Sequence, residues 1–271
     1  MKTIIHLSDI HFGRVDYQVV NKLIETVAEI KPDVVVVSGD LTQRARSHQF
    51  VEARTFLDAL PRPQIVVPGN HDIPLYHVYN RFARPLDKYR RFITDDLEPF
   101  YKDDEMAIAG VNTARSLTTK YGRINERQIN GIKEKMCGLA DDLLKVVVTH
   151  HPFDLPAGFE AKNLVGRSKL AMATLAGCGA DVFLAGHLHV SSVSHSAERY
   201  KIAGHSALVI QAGTATSTRE RGESNSFNVL RLARPGLIVE RHEYQPSQAR
   251  FTVSESQEFE QIADGWKVLV G

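Results

Sequence analysis

The sequence predicts an α/β fold, a four-layer α-β-β-α sandwich in which two mixed sheets lie between outer layers of helices. Short β-branched apolar runs predict strands that are buried on both faces. Helical patterns between these runs predict that the first sheet is mainly parallel. After about residue 205 the runs follow one another without strong helical patterns, and this change predicts a second sheet packed on the first.

The predicted strands are short and rich in valine and isoleucine, as strands are. In the first part of the chain they are Thr3–Leu7, Asp33–Val37, Gln64–Val67, Met106–Val111, Lys145–Val148 and Asp181–Leu184. In the second part they are Ala207–Gln211, Phe227–Leu232, Leu237–Tyr244 and Arg250–Val253, with a hairpin turn at 234–236. No linker rich in serine or glycine divides the chain, so we expect one domain over residues 1–271.

Two helices have recognisable boundaries. Asp16 is placed to cap a helix whose apolar residues recur at helical spacing up to Val27, and Pro32 stops it. Asn125 and Gln128 form the pattern of a capping box ahead of another helix. Helices between strands are the crossovers that neighbouring parallel strands require.

The composition is that of an ordinary globular protein. Of 271 residues, 43% are hydrophobic and 24% are charged, and the formal net charge is +1. A charge so close to zero provides no global field for nucleic acid or a membrane surface, and no apolar run approaches the roughly 20 residues of a membrane helix. Cys137 and Cys178 lack metal-type spacing, so we expect two small core residues, no disulfide framework and a cytoplasmic protein.

Polar residues that can bind metal follow five of the predicted strands. They stand in the motifs Asp9-Ile10-His11, Gly39-Asp40, Gly69-Asn70-His71-Asp72, His150 and Gly186-His187-Leu188-His189. Each motif alone has an ordinary explanation, such as a turn or a helix cap. Because the carboxyl ends of parallel strands share one edge of a sheet, the five together predict that carboxylate, amide and imidazole groups meet there.

This order of motifs resembles that of the calcineurin-like metallophosphoesterase superfamily, and every metal-ligand position of its pattern is filled. The resemblance implies two divalent ions of manganese, iron or zinc, a mixed iron and manganese pair included. The ligands it implies are Asp9, His11 and His189 for one ion, Asn70, His150 and His187 for the other, and Asp40 as the bridge. It also implies hydrolysis of phosphate esters through attack by a hydroxide held between the ions.

The resemblance gives two further residues a part in the reaction. His71 is not a ligand in the family pattern and lies near the leaving group, where it stabilises charge or donates a proton. Asp72 is expected to orient His71 by accepting a hydrogen bond from its other ring nitrogen. His150 and His151 are adjacent, and the His-x-Pro arrangement of the family selects His150 as the ligand.

Three residues are candidates for contact with the substrate. Asn112 and Arg115 follow another strand at the same edge, so Arg115 is either a clamp for a phosphate oxygen or part of a surface salt bridge. His151 either faces the substrate or packs inside the protein. Arg14 and Arg44 follow the first two motifs and have weaker claims.

Residues 73–105 form an insertion between two predicted strands, and it combines aromatic with basic residues. Such a mixture can bind phosphates and stack bases, but acidic residues follow closely, and we favour an amphipathic helix with a solvated basic face. A cap over the ions and a surface for homodimerisation are the alternatives.

Within the superfamily, the short architecture most resembles the branch of cyclic-nucleotide phosphodiesterases and glycerophosphodiesterase-like proteins. This implies a small phosphodiester substrate, such as a nucleotide. No membrane partner is expected, and the near-neutral charge disfavours nucleic acid as a partner. The residues after Asp40, and Asp72 at the end of the third motif, depart from the pattern of the serine/threonine protein phosphatases. A phosphomonoesterase, a DNA exonuclease and a pyrophosphohydrolase of nucleotide-linked lipids remain alternatives on the same site, whereas a non-catalytic scaffold is disfavoured because no ligand is lost.

Overall fold

The computed structural model describes residues 1–156, 158–200, 206–218, 223–263 and 265–270, which form two sheets of seven and six strands. The strands are β1 (Lys2–Leu7), β2 (Val34–Val37), β3 (Gln64–Val66), β4 (Phe100–Lys102), β5 (Met106–Val111), β6 (Leu144–Thr149), β7 (Val182–Ala185), β8 (Ser192–His195), β9 (Leu208–Gln211), β10 (Ser226–Ala233), β11 (Gly236–Gln245), β12 (Arg250–Ile262) and β13 (Gly265–Val270). The helices are α1 (Tyr17–Ile30), α2 (Ser47–Ala59), α3 (Val78–Ala83), α4 (Asp87–Phe92), α5 (Glu126–Met136), α6 (Ser168–Ala176) and α7 (Ser196–Arg199). The predicted strands and the two helices predicted with caps, α1 and α5, are present, and β4, β8 and β13 are further strands that the sequence did not predict.

The seven-stranded sheet has the order β13-β12-β11-β10-β1-β2-β3. β1, β2 and β3 pair in parallel, whereas β10 pairs antiparallel with the other edge of β1, placing Ile4 opposite Leu230. The prediction that the late strands form a separate sheet is therefore wrong, because β10, β11 and β12 extend the sheet that β1 begins. They pair an edge of β1 whose backbone groups would otherwise stay unpaired.

The six-stranded sheet has the order β4-β5-β6-β7-β9-β8, with a parallel centre and antiparallel strands at both edges. Helices α5 and α6 cover its outer face, and α1 and α2 cover the outer face of the seven-stranded sheet. Alternate residues of a strand point to opposite faces. Val34 and Val36 thus lie in the core between the sheets, whereas Val35 and Val37 pack against the helices. The predicted four-layer sandwich is confirmed.

The two predicted helix caps are also present. Asp16 Oδ1 accepts a hydrogen bond of 2.8 Å from Gln18 N at the start of α1. Asn125 and Gln128 each accept a hydrogen bond from the backbone N–H of the other at the start of α5, as a capping box does. These caps fix where the crossover helices begin, and hence the length of the loops that leave the strands.

Residues 73–105 contain α3, α4 and β4 rather than one amphipathic helix. Tyr89 of α4 is fully buried and donates from its hydroxyl to Val66 O at 3.1 Å, so α4 belongs to the body of the domain. In contrast, α3 and the turn before it expose large apolar side chains, those of Tyr76, Val78, Tyr79 and Phe82. A role of this segment as a cap or a dimer surface stays a prediction.

Cys137 and Cys178 form a disulfide, with their Cα atoms 4.3 Å apart. The expectation that neither is paired is therefore wrong. Cys137 caps the end of α5, and Cys178 follows the end of α6. The two helices pack side by side on one face of the six-stranded sheet, which brings residues 41 positions apart in sequence into bonding distance.

Among the described residues, no helix combines the length and apolar character needed to cross a membrane.

Candidate metal centre

The five motifs lie at the carboxyl ends of β1, β2, β3, β6 and β7. The first three strands belong to one sheet and the last two to the other, so the expectation of a single sheet edge is corrected to two facing edges. Hydrogen bonds join these edges directly. His187 N donates to Asp9 Oδ2 at 2.9 Å, and His150 Nδ1 donates to Ser38 O at 2.8 Å.

One group of donors consists of Asp9, His11 and His189 with one oxygen of Asp40. His11 Nε2 lies 3.4 Å from His189 Nε2 and 3.5 Å from Asp9 Oδ1, and His189 Nε2 lies 3.3 Å from Asp9 Oδ1. Asp40 Oδ2 is 3.8 Å from His11 Nε2. A tetrahedral ion with bonds of about 2.1 Å separates its ligands by about 3.4 Å, so this group has the spacing of a metal cage.

A second group of donors shares Asp40 with the first. Asp40 Oδ1 lies 3.4 Å from His150 Nε2, which is 3.2 Å from Asn70 Oδ1. His187 stands beside them, its ring centroid 5.1 Å from that of His150. Because the two carboxylate oxygens of Asp40 face different groups of donors, this residue is placed to bridge two ions.

The atoms that face away from the centre are held by hydrogen bonds, which orient the ligands. Asp9 Oδ2 accepts from Ser8 Oγ at 2.6 Å as well as from His187 N, and this leaves Oδ1 for a metal. His189 Nδ1 is 2.8 Å from Thr214 Oγ1. Asn70 Nδ2 donates to the carbonyl oxygen of residue 119 at 3.3 Å, which turns Oδ1 towards the centre.

The polar atoms left over also fit a metal. Within the described parts of the chain, Asp9 Oδ1 and His187 Nε2 are buried without a hydrogen-bond partner. A buried carboxylate oxygen without a donor costs free energy that an ion would recover. Carboxylate, amide and imidazole donors without a thiolate suit manganese, iron or zinc. The residues therefore fit two divalent metal ions.

The backbone at the ligands is strained. Asp9, His11, Asp40, His187 and His189 have φ values of 53°, 60°, 54°, 73° and 62°, in the left-handed region that residues with a Cβ seldom adopt. Each such residue costs of the order of 1 kcal/mol or more. The chain retains this conformation at five ligands because it turns the side chain at each strand end back towards the centre.

The charges at the centre are shifted by one another. Burial opposes ionisation of Asp9 and Asp40, but the surrounding imidazoles hold the pKa of each below its ordinary range. Burial alone would lower the pKa of His150, but the carboxylates of Asp40 and Asp9 raise it to about 9. Burial and the positive charge of His150 lower the pKa of His187 to about 3, which keeps that imidazole neutral.

The predicted contact between His71 and Asp72 is corrected. His71 Nδ1 donates to Gln43 O at 2.9 Å, so a backbone carbonyl orients the ring. Asp72 instead accepts from Leu41 N, Thr42 N, Thr42 Oγ1 and Gly69 N at 2.9 to 3.2 Å, and burial and repulsion from Asp40 raise its pKa to about 6. It therefore fastens the loop that presents Gln43 O. The sequence carries no signal for Gln43, because any residue supplies a carbonyl.

The three substrate candidates have protein partners. Arg115 donates to the carbonyl oxygens of Asn112 and Ala114 at 3.1 and 2.8 Å, and to Gln128 Oε1. His151 is fully buried; its Nε2 donates to the carbonyl oxygen of residue 120 at 3.0 Å, and its Nδ1 is 2.8 Å from a threonine hydroxyl. Although His151 lies near the other imidazoles, both its nitrogens are engaged, which favours packing over contact with substrate. The clamp role of Arg115 stays a prediction.

Comparisons with known proteins agree with this geometry. The family described as calcineurin-like phosphoesterase matches residues 2–191. Glycerophosphodiester phosphodiesterase GpdQ from Enterobacter lignolyticus (strain SCF1) is 35% identical over 167 residues, which are 56% of this chain and 57% of that protein. The chain thus spans about half the length of the curated relatives it matches.

Two solved structures share the fold. Purple acid phosphatase PPD1 from yellow lupin (Lupinus luteus) seeds has a TM-score of 0.73 at 11% identity, over 95% of this chain and 53% of that one. A dimetal phosphatase from Danio rerio has a TM-score of 0.65 at 14% identity, over 93% of this chain and 98% of that one. The family match covers more than half of the chain and includes every predicted ligand. The chain therefore belongs to the calcineurin-like phosphoesterase family.

Proposed function

We propose that the protein is a metal-dependent hydrolase of phosphodiesters and acts on small esters such as cyclic nucleotides or glycerophosphodiesters. The observation that carries this proposal is the pair of donor groups that share Asp40. When bound, two ions side by side supply Lewis-acid activation of the phosphate oxygens and of the attacking water.

The residues around the ions would guide protons and hold geometry. The bond from His71 Nδ1 to Gln43 O fixes a proton on Nδ1, which supports a role for Nε2 as the donor to the leaving oxygen. His71 N donates to Asp40 Oδ1 at 2.8 Å, so the ring is held relative to the bridging carboxylate. A protonated His71 would donate from Nε2 as the ester bond breaks, which neutralises the leaving alkoxide.

The preference for diesters over monoesters is supported by the likeness to GpdQ, which is named for its action on glycerophosphodiesters. The site alone does not require it, because two ions can bind the oxygens of either ester. The cytoplasmic location expected from the sequence stays a prediction, and the disulfide between Cys137 and Cys178 counts against it, because disulfides are rare in cytosolic proteins. A homodimer is an alternative that the exposed apolar side chains of α3 would serve.

The test combines metal analysis with hydrolysis of bis-p-nitrophenyl phosphate and p-nitrophenyl phosphate. The protein loaded with Mn²⁺, Fe²⁺ or Zn²⁺ should bind two ions and cleave the diester faster than the monoester. Cleavage of neither ester by any of the loaded forms would contradict the proposal. Faster cleavage of the monoester would overturn the diester preference alone.

Two variants separate metal binding from proton transfer. Asp40→Ala should abolish activity and disrupt metal loading, since both groups of donors lose an oxygen. His71→Ala should slow turnover roughly 10²- to 10⁴-fold with two ions still bound. Asp142→Ala, which removes an exposed carboxylate, is the matched control and should change neither quantity. Equal metal loss in the first two variants would contradict the separate role of His71.

A further inference from the structure

A basic cavity borders the metal centre on the side where His71 lies. Its volume is about 370 Å³, and its lining residues are Gly13, Arg14, Gln43, Arg44, Arg46 and Gln49. Gly13 and Arg14 belong to the loop after β1, the lining residues 43, 44 and 46 belong to the loop after β2, and Gln49 belongs to the first turn of α2. Both loops also carry candidate metal ligands. The loops are hydrogen-bonded to each other, from Phe12 N to Leu41 O and from Gln43 N to Phe12 O, both at 2.9 Å. The cavity thus lies beside the metal centre.

Three arginines give this cavity its charge. Arg14 and Arg46 are exposed, and Arg44 is half-buried with its Cζ atom 5.9 Å from the ring centroid of Tyr76. In the residues that the structure describes, the ion pairs formed by arginine side chains involve arginines other than these three. Among the described residues no carboxylate pairs with these three guanidinium groups, and their combined charge favours an anion.

Gln43 connects the cavity to His71. Its relative exposure is only 6%, and its Oε1 has no hydrogen-bond partner among the described residues. Its Nε2 lies 3.4 Å from His71 Nδ1, whose proton points towards Gln43 O. The amide Nε2–H groups of Gln43 and the Nδ1–H of His71 would then face each other as two donors. Turning the amide by 180° removes this conflict, because Oε1 then faces His71 Nδ1 and the Nε2 donors take the position where Oε1 had no partner.

The cavity wall is held in place by the protein itself. Gln49 Oε1 accepts from Arg44 N at 2.9 Å and from Arg46 N at 3.3 Å, and Thr42 Oγ1 accepts from Ala45 N at 3.1 Å. The 13-residue helix α2 begins directly after Arg46 and has no acidic residue in its first turn. The positive end of its dipole therefore adds to the charge of the arginines.

We propose that this cavity binds a second anionic group, a terminal phosphate monoester carried by the leaving alcohol of the substrate. In the proposed reaction His71 donates to the leaving group, and Gln43 contacts His71 and lines the cavity, so substituents on the leaving alcohol would extend towards the arginines. Guanidinium groups bind phosphate oxygens through paired hydrogen bonds. The inference rests on the proposed hydrolysis and adds to it a preference, among phosphodiesters, for those whose leaving alcohol bears a phosphate.

The test uses three aryl methyl phosphodiesters with leaving phenols of matched acidity, which carry a phosphonomethyl, a carboxymethyl or a methoxymethyl group. The Mn²⁺-loaded wild-type protein should cleave the phosphonate with a kcat/KM at least tenfold above that of the methoxy compound, because hydrogen bonds between charged groups are roughly twice as strong as those between neutral groups. The double variant Arg14→Ala/Arg46→Ala should lower this ratio at least tenfold. Equal kcat/KM for the carboxylate and the phosphonate would overturn the assignment to a phosphate.

Arg127→Ala is the matched control, because it removes an exposed arginine of α5 and should preserve the ratio. Cleavage of none of the three diesters by the wild-type protein would overturn the proposed hydrolysis and this inference with it. Cleavage of all three at equal kcat/KM would overturn this inference alone. A ratio that survives the double variant would also overturn it, because the preference would then arise outside the cavity. Circular dichroism and thermal denaturation establish that each variant is folded.

Discussion

In the metal-free protein, His150 should be an imidazolium at neutral pH. Its Nδ1 faces Ser38 O at 2.8 Å, and its Nε2 faces Asn70 Oδ1 at 3.2 Å and Asp40 Oδ1 at 3.4 Å. All of these oxygens accept hydrogen bonds, so both ring nitrogens need a proton. The geometry thus agrees with the raised pKa of about 9.

The magnitude follows from the difference between the ordinary pKa of 6.5 and about 9. A tenfold change in proton affinity corresponds to about 1.4 kcal/mol, so the folded metal-free protein gains roughly 3 kcal/mol from the charge of His150. This stabilisation is fully present below pH 6.5 and is lost as the pH rises through about 9. Metal binding must displace the Nε2 proton, so affinity for the ion at this site should rise about tenfold per pH unit below that value.

The assay is a titration of the imidazole ¹⁵N resonances of the metal-free protein, compared with Asp40→Asn. In the wild-type protein the His150 resonance should titrate near pH 9. In the variant the pKa of His150 should fall below 6.5, because burial remains while the main carboxylate is neutralised. A wild-type resonance that titrates below pH 7, or a variant that titrates with the wild type, would refute the reasoning.

Three other substitutions test the structure. Gly69→Ala should lower metal content, because its Cβ would overlap the carboxylate of Asp40 and lie 2.7 Å from the carboxylate carbon. Gly138→Ala is the control, because its Cβ would have nothing within 4 Å. Equal metal content in the two variants would contradict this prediction. Thr214→Val should weaken binding of the first ion roughly 10- to 100-fold in a calorimetric titration, as loss of a ligand's outer hydrogen bond does. Lys31→Gly should raise the free energy of unfolding in urea by about 0.5–1 kcal/mol, because Lys31 ends α1 with φ 53°, whereas Lys31→Ala keeps that strain and should give no gain.

The strands and helix caps could be predicted because their signals are local. The apolar run from Val34 to Val37 and the cap at Asp16 depend on neighbouring residues only. The assignment of strands to the two sheets could not be predicted, because β10 pairs with β1 across more than 200 positions. The residues of neither strand indicate which strand it pairs with. The disulfide was missed for the same reason, since Cys137 and Cys178 meet only through the packing of α5 on α6.

The metal ligands could be predicted because their side chains carry the chemistry and stand at strand ends. The hydrogen-bond partner of His71 could not be predicted, because a bond to Gln43 O depends on the path of the backbone rather than on the residue type. The basic cavity could be predicted only in part. Arg14 and Arg44 were visible as residues after two motifs, but only the pairing of the two loops brings them together with Arg46.

The close approach of the two sheets at the metal centre explains why a glycine stands at the start of the last motif. A Cβ on Gly186 would lie 2.5 Å from Asp9 Oδ2 and 2.7 Å from Ser8 Cβ, so any side chain there would push the end of β7 away from the end of β1. These two strands belong to different sheets, and their ends carry Asp9 and His189, which bind the same ion in the proposed site. A spacing of 3.3 Å between donors from separate sheets is reached only where one strand end lacks a side chain. Glycine at this position is therefore a requirement of the metal cage rather than of a turn.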